Sequence, residues 1–175
     1  MESLIINFFG GPGITEMKKN HMDVELTFEF PKIVAWEENF SAIKDQFYIT
    51  ANQHRNIARL HGKVKYIIVD SPIILGPIYK NRYSKKDEYP AGFYDESFDN
   101  FLLGLFKKYN SLNVFLDRDD SSYDKNGRFQ NLDESKQIDS EIKQNLISNQ
   151  IPFIEFAVNS NTPLEIFNYI KQKNL

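Results

Sequence analysis

The sequence predicts an α/β fold in which helices cover both faces of a parallel β-sheet. Short apolar runs typical of strands alternate along the chain with longer amphipathic segments of helical spacing. Two runs, 3–9 and the first part of 65–75, are nearly continuous in apolar residues, as expected of strands buried on both faces. Polar residues follow the predicted strands, where ligands bind in open parallel sheets. We therefore expect a three-layer sandwich around a mainly parallel sheet.

Each element is predicted from its local pattern. The predicted strands are 3–9, 23–30, 65–75, 113–118 and 152–158, and the third of these breaks into a turn at Asp70-Ser71-Pro72. Pro31 is expected to end the second strand, because proline donates no ladder hydrogen bond. The predicted helices are 36–61 with Gly62 as its stop, 96–109, 133–149, and a C-terminal helix with Thr162 as N-cap and Pro163 in its first position. The polar segments 80–94 and 119–131 are predicted surface loops.

Composition narrows the class of protein. The 175 residues fit one domain spanning 1–175, and 41% of them are apolar, enough for a packed core. Cysteine is absent, which excludes disulfides, thiolate zinc sites and cysteine nucleophiles. The apolar run at the N-terminus is too short for a signal peptide or membrane span, so we expect a cytoplasmic protein. The net charge of −3 argues against broad coating of nucleic acid.

A glycine-rich cluster follows the first predicted strand. Gly10, Gly11, Pro12 and Gly13 stand between that strand and the next segment. Glycines let backbone N–H groups wrap around an anion, and a following helix N-terminus adds a favourable dipole. The alternative is a tight turn with no chemical role.

Two acidic residues close neighbouring predicted strands. Asp70 ends "YIIVD", where an aspartate can hold Mg²⁺ or accept a proton from an attacking hydroxyl. Its alternative role is turn formation in Asp-Ser-Pro. Glu29, at the tip of the second strand, could orient a substrate hydroxyl or act as a base. The alternative for Glu29 is a solvated strand end.

Basic and polar side chains supply further candidates. Arg118 and Arg128 bracket the loop 119–131, and guanidinium groups can neutralise a phosphoryl group in transfer. The alternative is that both are ordinary surface arginines. Gln53, His54 and Arg55 lie consecutively in a predicted helix and could contact a substrate, or form a solvated helix face. The three histidines show no metal-ligand spacing, and no Ser-His-Asp arrangement is evident.

Several segments, in this order, resemble a group of small P-loop kinase-like proteins that are frequent in bacteriophages and often labelled AAA ATPases. The segments are "INFFGGPG", "VELTFEFPK", "KDQFYITANQHR", "GKVKYIIVDSPIIL", "NVFLDR" and "NGRFQNLDESKQIDSEI". The resemblance implies a P-loop nucleoside/nucleotide-kinase fold that uses ATP and Mg²⁺. It makes Asp70 the Walker B aspartate, Glu29 the acidic residue after strand two, and Arg118 and Arg128 the arginines of a lid at 119–131.

The chain departs from this family in the phosphate-binding loop. The pattern G-x-x-x-x-G-K-[ST], started at Gly10, meets Thr15, Glu16 and Met17 at its last three positions. A first strand of about six residues spans roughly 20 Å. The connection before Asp23 is too short for a helix that returns over that distance, since about seven helical residues cover only about 10 Å. Either the first helix is shortened, or about ten residues, including Gly-Lys-Ser/Thr, are missing at the Gly13–Ile14 join, and we hypothesise the second.

The sequence thus predicts an ATP- and Mg²⁺-dependent phosphotransferase that acts on a nucleotide, nucleoside or related small molecule. Two alternatives stay open. The chain could be a catalytically inactive nucleotide-binding module, because its loop lacks the lysine and hydroxyl. It could also be a kinase of modified bases in phage DNA, with the basic stretch 80–86 contacting phosphates.

Overall fold

A computed structural model describes residues 2–9, 20–83, 96–117, 132–173 and 175. Five strands form one sheet in the order β2-β3-β1-β4-β5. Each neighbouring pair is parallel. The strands are β1 (Leu4–Phe9), β2 (Val24–Thr27), β3 (Tyr66–Val69), β4 (Ser111–Asp117) and β5 (Ile154–Ala157). The predicted parallel α/β architecture is confirmed.

Burial along each strand follows its place in the sheet. All six residues of β1 and all four of β3 are buried, because these strands have neighbours on both sides and helices over both faces. The edge strands β2 and β5 carry partly exposed residues instead. Continuous apolar runs therefore identified the central strands correctly.

Helices pack on both faces of the sheet. They are α1 (Phe30–Trp36), α2 (Phe40–Lys44), α3 (Gln46–Ala58), α4 (Gly76–Tyr83), α5 (Glu96–Phe106), α6 (Leu132–Ser148) and α7 (Thr162–Gln172). One core cluster joins Ile5 and Phe9 of β1 to apolar residues of α3, α4, α5 and α6. The other cluster joins Leu4, Ile6 and Phe8 to α7. Alternate residues of β1 thus face opposite helical layers, which makes the fold a three-layer sandwich.

The single helix predicted at 36–61 is wrong, because α1 ends at Trp36 and two separate helices, α2 and α3, occupy the rest of this region. Glu38 adopts a positive φ of 54° after α1. Asn39 then caps α2 by accepting from the Ala42 amide, and Asp45 caps α3 by accepting from the Tyr48 amide. Apolar spacing continues across these caps, which is why periodicity alone missed the breaks.

Three other boundaries also differ from the prediction. Strand β2 ends at Thr27, and Pro31 lies in the first turn of α1, where its fixed φ favours a helix. Helix α3 ends at Ala58, and Gly62 follows it with a φ of 80°. The N-cap of α7 is Asn161, and Thr162 is already helical.

The predicted third strand and the segment after it are corrected as well. Strand β3 covers Tyr66–Val69, so the predicted break of the strand at Asp70 is confirmed, while the apolar residues Ile73–Leu75 form a 3₁₀ turn rather than more strand. The first residues of the predicted loop 80–94 instead complete α4. Lys80 in that helix is buried, and its ammonium donates to both carboxylate oxygens of Asp99 at 2.6 and 2.8 Å.

Candidate functional site

The carboxyl edge of the sheet carries the two predicted acidic residues on neighbouring strands. Val69, the last residue of β3, pairs with Thr27 of β2 on one side and Asn7 of β1 on the other. Asp70 follows Val69 directly, and Glu29 comes two residues after Thr27. Asp70 and Glu29 therefore follow adjacent strands at the same edge of the sheet, next to the end of β1.

Glu29 links β2 to α1. It is the N-cap residue of α1, and its carbonyl oxygen accepts from the amides of Lys32 and Ile33 at 3.1 and 3.3 Å. Its side chain makes no capping hydrogen bond to α1. The backbone of Glu29 thus organises the start of the helix, while its partly buried carboxylate does not cap it.

Asp70 opens a tight turn. It is partly exposed, and the following residues Ser71 and Pro72 are buried. The Leu75 amide donates to the Pro72 carbonyl at 3.0 Å and closes the 3₁₀ turn. Asp70 is thus held between a buried strand and a compact buried turn.

Close packing fixes the helix after this turn. A Cβ atom on Gly76, the first residue of α4, would lie 2.7 Å from Leu102 Cδ1 and 2.8 Å from Thr50 Cγ2. Glycine is therefore required for α4 to approach α3 and α5 this closely. The start of α4, which follows the turn at Asp70, is therefore packed closely against both α3 and α5.

The three consecutive polar residues of α3 diverge in the structure. The buried Gln53 donates from Nε2 to Ser71 Oγ at 2.6 Å, beside Asp70. His54 Nε2 lies 2.8 Å from the Tyr109 hydroxyl. Tyr109 precedes β4, so His54 points toward the opposite edge of the sheet. Arg55 is exposed.

Burial shifts the pKa values of both members of the His54–Tyr109 pair. Desolvation lowers the pKa of His54 below 6.5, because burial penalises the charged imidazolium. Desolvation likewise raises the pKa of Tyr109 above 10.0, because it penalises the phenolate. The His61 ring packs edge-on against Tyr109 with centroids 5.4 Å apart.

The remaining predicted site residues lie outside the described residues. They are Gly10, Gly11, Pro12, Gly13, Arg118 and Arg128, together with the loop 119–131 and the Gly13–Ile14 join. The structure does show the strand ends that directly precede two of these segments. Strand β1 ends at Phe9 and β4 ends at Asp117, both at the carboxyl edge.

Sequence reasoning missed several residues near this edge. The role of Ser71 as the partner of Gln53 had no sequence signal beyond a turn pattern, because a contact 18 residues apart is not periodic. Phe28, directly before Glu29, and Trp36, the last residue of α1, are 65% and 68% exposed. Their exposure could not be read from composition, because aromatic residues are more often buried.

The carboxylates present can be tested against the implied Mg²⁺ ion. Within the described part of the chain, no group of three or more acidic or histidine side chains could hold a metal. Mg²⁺ sites in phosphoryl-transfer proteins commonly use one or two carboxylates and complete the shell with phosphate oxygens and water. Asp70 at a strand end is compatible with that kind of site. The same described residues contain no helix long and apolar enough to cross a membrane.

Comparison with known proteins identifies the class of fold. No protein-family model and no curated protein matches the chain. A solved structure of deoxyadenosine kinase from M. mycoides with bound dATP is similar, with a TM-score of 0.55 and 15% identity over 95% of this chain and 99% of that chain. At this identity the likeness shows the fold alone. The chain therefore has an α/β fold similar to that of this kinase, and the predicted fold class is confirmed.

Proposed function

We propose that this protein is an ATP- and Mg²⁺-dependent phosphotransferase that acts on a nucleotide, a nucleoside or a related small molecule. The observation that carries the proposal is that Glu29 and Asp70 follow adjacent parallel strands, beside the end of β1. Beyond β1 the sequence continues into Gly-Gly-Pro-Gly. The similar solved structure is a kinase with bound dATP, which supports a nucleotide as ligand.

Each candidate residue has a role in this proposal. Backbone amides of Gly10, Gly11 and Gly13, with Pro12 shaping the loop, bind phosphate oxygens. Asp70 holds the metal or accepts the proton of the acceptor hydroxyl, and Glu29 orients that hydroxyl. When bound, Mg²⁺ neutralises phosphate charge. Arg118, just before the lid at 119–131, and Arg128, within it, neutralise the transferring phosphoryl group, and closure of the lid excludes water.

The acceptor side is less well supported. Gln53, His54 and Arg55 were predicted to contact the substrate, and that contact stays a prediction. The contacts that the structure gives to the first two are with Ser71 and Tyr109. Glu29 is therefore the stronger candidate for acceptor contact, because it lies at the carboxyl edge next to Asp70.

The test is phosphate transfer from γ-labelled ATP with Mg²⁺ to a panel of nucleosides and nucleoside monophosphates. Two chains are compared: this sequence, and a variant with about ten residues including Gly-Lys-Ser inserted after Gly13. We expect the restored chain to label at least one acceptor. Failure of the restored chain both to bind ATP and to transfer phosphate would contradict the proposal.

One observation favours a second candidate, a nucleotide-binding module without catalysis. Thr15, Glu16 and Met17 stand where a phosphate-binding loop needs Gly-Lys-Ser/Thr. Loss of the lysine and hydroxyl removes much of the positioning and charge neutralisation on which transfer depends. ATP binding without transfer by this sequence, together with transfer by the restored chain, would support this candidate for the sequence as it stands.

The third candidate, a kinase of bases within DNA, receives less support. The basic stretch 80–86 was the expected phosphate contact. Lys80 pairs with Asp99, and Arg82 makes a two-pronged ion pair with Glu141 at 2.9 and 2.7 Å. These side chains are thus engaged within the protein. If the protein bound DNA and its affinity fell steeply as the salt concentration rose, that result would support this candidate.

A further inference from the structure

The buried face of α3 is unusually polar. Gln46, Thr50, Gln53 and Ile57 recur at helical spacing, and each is at most 6% exposed. The Gln46 amide donates to the Ile43 carbonyl, and the Thr50 hydroxyl donates to the Gln46 carbonyl. Gln53 differs, because its amide reaches across the layer to Ser71. A buried amide is costly unless it is hydrogen-bonded, so this contact defines how α3 meets the turn.

The contact acts on the residue next to Asp70. Ser71 is 7% exposed and accepts from Gln53 at 2.6 Å. Pro72 restricts the backbone after it, with φ −62° and ψ 142°. The turn is closed by the hydrogen bond from the Leu75 amide to the Pro72 carbonyl. Gln53 thus holds the side chain of Ser71, the one residue between Asp70 and the rigid turn that begins at Pro72.

We propose that Gln53 is a positioning residue for Asp70: it holds Ser71 and thereby sets the direction of the Asp70 carboxylate at the carboxyl edge. This inference rests on the proposed function, because the role of Asp70 comes from there. It replaces direct substrate contact by Gln53 with an indirect role. The burial of Gln53 supports the change, since only 6% of the residue is exposed.

The first test needs no substrate. Hydrogen exchange of the Leu75 amide is measured by NMR in the parent chain and in Gln53→Leu and Ser71→Ala, relative to the Ile49 amide of α3. We expect exchange at Leu75 to accelerate about tenfold in both variants, since each loses a hydrogen bond that holds the turn. Unchanged exchange at Leu75 in a folded variant overturns the proposal.

Thr50→Val is the matched control. It removes a buried hydroxyl one turn away on the same face of α3, while keeping the methyl group that packs near Gly76. The hydrogen bond that it removes lies within α3, so exchange at Leu75 should stay near the parent value. Equal acceleration in Thr50→Val and Gln53→Leu would mean that α3 is merely loosened, and would overturn the proposal.

The second test uses activity in the loop-restored chain, with the acceptor that the labelling panel identifies. Gln53→Leu should lower kcat about 10- to 100-fold with KM nearly unchanged, because the base is misdirected while substrate contacts remain. Adding Ser71→Ala should cause no further loss, since both changes remove one interaction. A raised KM at constant kcat would show direct substrate contact instead, and additive losses would show that Gln53 does not act through Ser71.

The two tests separate two kinds of failure. If the restored chain transfers no phosphate, the proposed function fails, while exchange at Leu75 still decides whether Gln53 holds the turn. If Gln53→Leu does not fold, Ser71→Ala carries both tests, because it deletes a single small hydroxyl. Parent-like exchange and kcat in Ser71→Ala overturn the proposal.

Discussion

At the scale of single residues, Asp70 is the side chain on which the proposed chemistry depends most. Asp70→Asn in the loop-restored chain should lower kcat by about 10²- to 10⁴-fold, because an amide cannot take a proton and binds metal weakly. The thermal midpoint should change little, since Asp70 is partly exposed at a strand end. Asp133→Asn, at an exposed position in the first turn of α6, serves as the control. Full activity in Asp70→Asn would refute its assignment.

The His54–Tyr109 pair makes stability depend on pH. The native pKa of His54 lies below 6.5, so below that pH the unfolded state binds more protons and stability falls as pH decreases. The native pKa of Tyr109 lies above 10.0, so the unfolded state ionises first and stability falls as pH rises past that value. Urea unfolding across this range should show both losses.

Two variants test which group causes each of these pH-dependent losses of stability. His54→Gln should reduce the loss of stability at acidic pH, and Tyr109→Phe should reduce the loss of stability at alkaline pH, because each change removes one titrating group. An acidic limb that is unchanged in His54→Gln would place the responsible proton elsewhere.

Two helix ends contain non-glycine residues in left-handed conformation. Glu38 after α1 and Gln150 after α6 both have φ 54°. In each case the next residue donates back to the carbonyl five positions earlier, Asn39 to Val34 and Ile151 to Leu146, which is the Schellman pattern. Glu38→Gly and Gln150→Gly should each raise the free energy of unfolding by about 1 kcal/mol, because glycine adopts this conformation without the Cβ clash. A loss of stability in urea titration would contradict this.

At the scale of elements, local packing decides whether replacing a helical glycine stabilises or destabilises the protein. Gly76→Ala should destabilise the protein by about 1–3 kcal/mol, because the new Cβ would overlap Leu102 and Thr50. Gly104→Ala, at an exposed position of α5, is the matched control, and a Cβ there meets nothing within 4 Å. It should stabilise the protein by about 1 kcal/mol through helix propensity. The same sign for both changes, measured by chemical denaturation, would show that the close approach of α4 is not rigid.

Element types could be predicted from sequence more securely than element ends. The buried runs of β1 and β3 and the amphipathic spacing of α5 and α6 identified these elements directly. The end of α1 at Trp36 and the separation of α2 from α3 could not be predicted, because they depend on the caps Asn39 and Asp45 and on the strained φ of Glu38. Local hydrogen bonds there override the periodic pattern.

At the scale of the whole molecule, nucleotide binding should be visible as added stability. A ligand that binds only the folded state at about 100 times its Kd adds about 2.7 kcal/mol. We expect ATP or dATP with Mg²⁺ to raise the thermal midpoint of the loop-restored chain, and of this sequence by less. An equal shift in both chains would mean that Gly-Lys-Ser adds nothing to binding. No shift in either would count against any nucleotide-binding function.

By itself, the sequence determined the fold class, the central strands and the position of Asp70 directly after a buried strand, whereas Glu29 caps α1 two residues beyond β2. These features follow from local patterns, namely continuous apolar runs and the residues directly after them. Only the tertiary structure decided the strand order, the partnership of Gln53 with Ser71, and the separation of His54 from that site. The physical reason is that each depends on residues distant in the chain, such as the buried Asn7–Asn113 hydrogen bond across β1 and β4 at 2.9 Å. Periodicity carries no information about which distant surfaces meet.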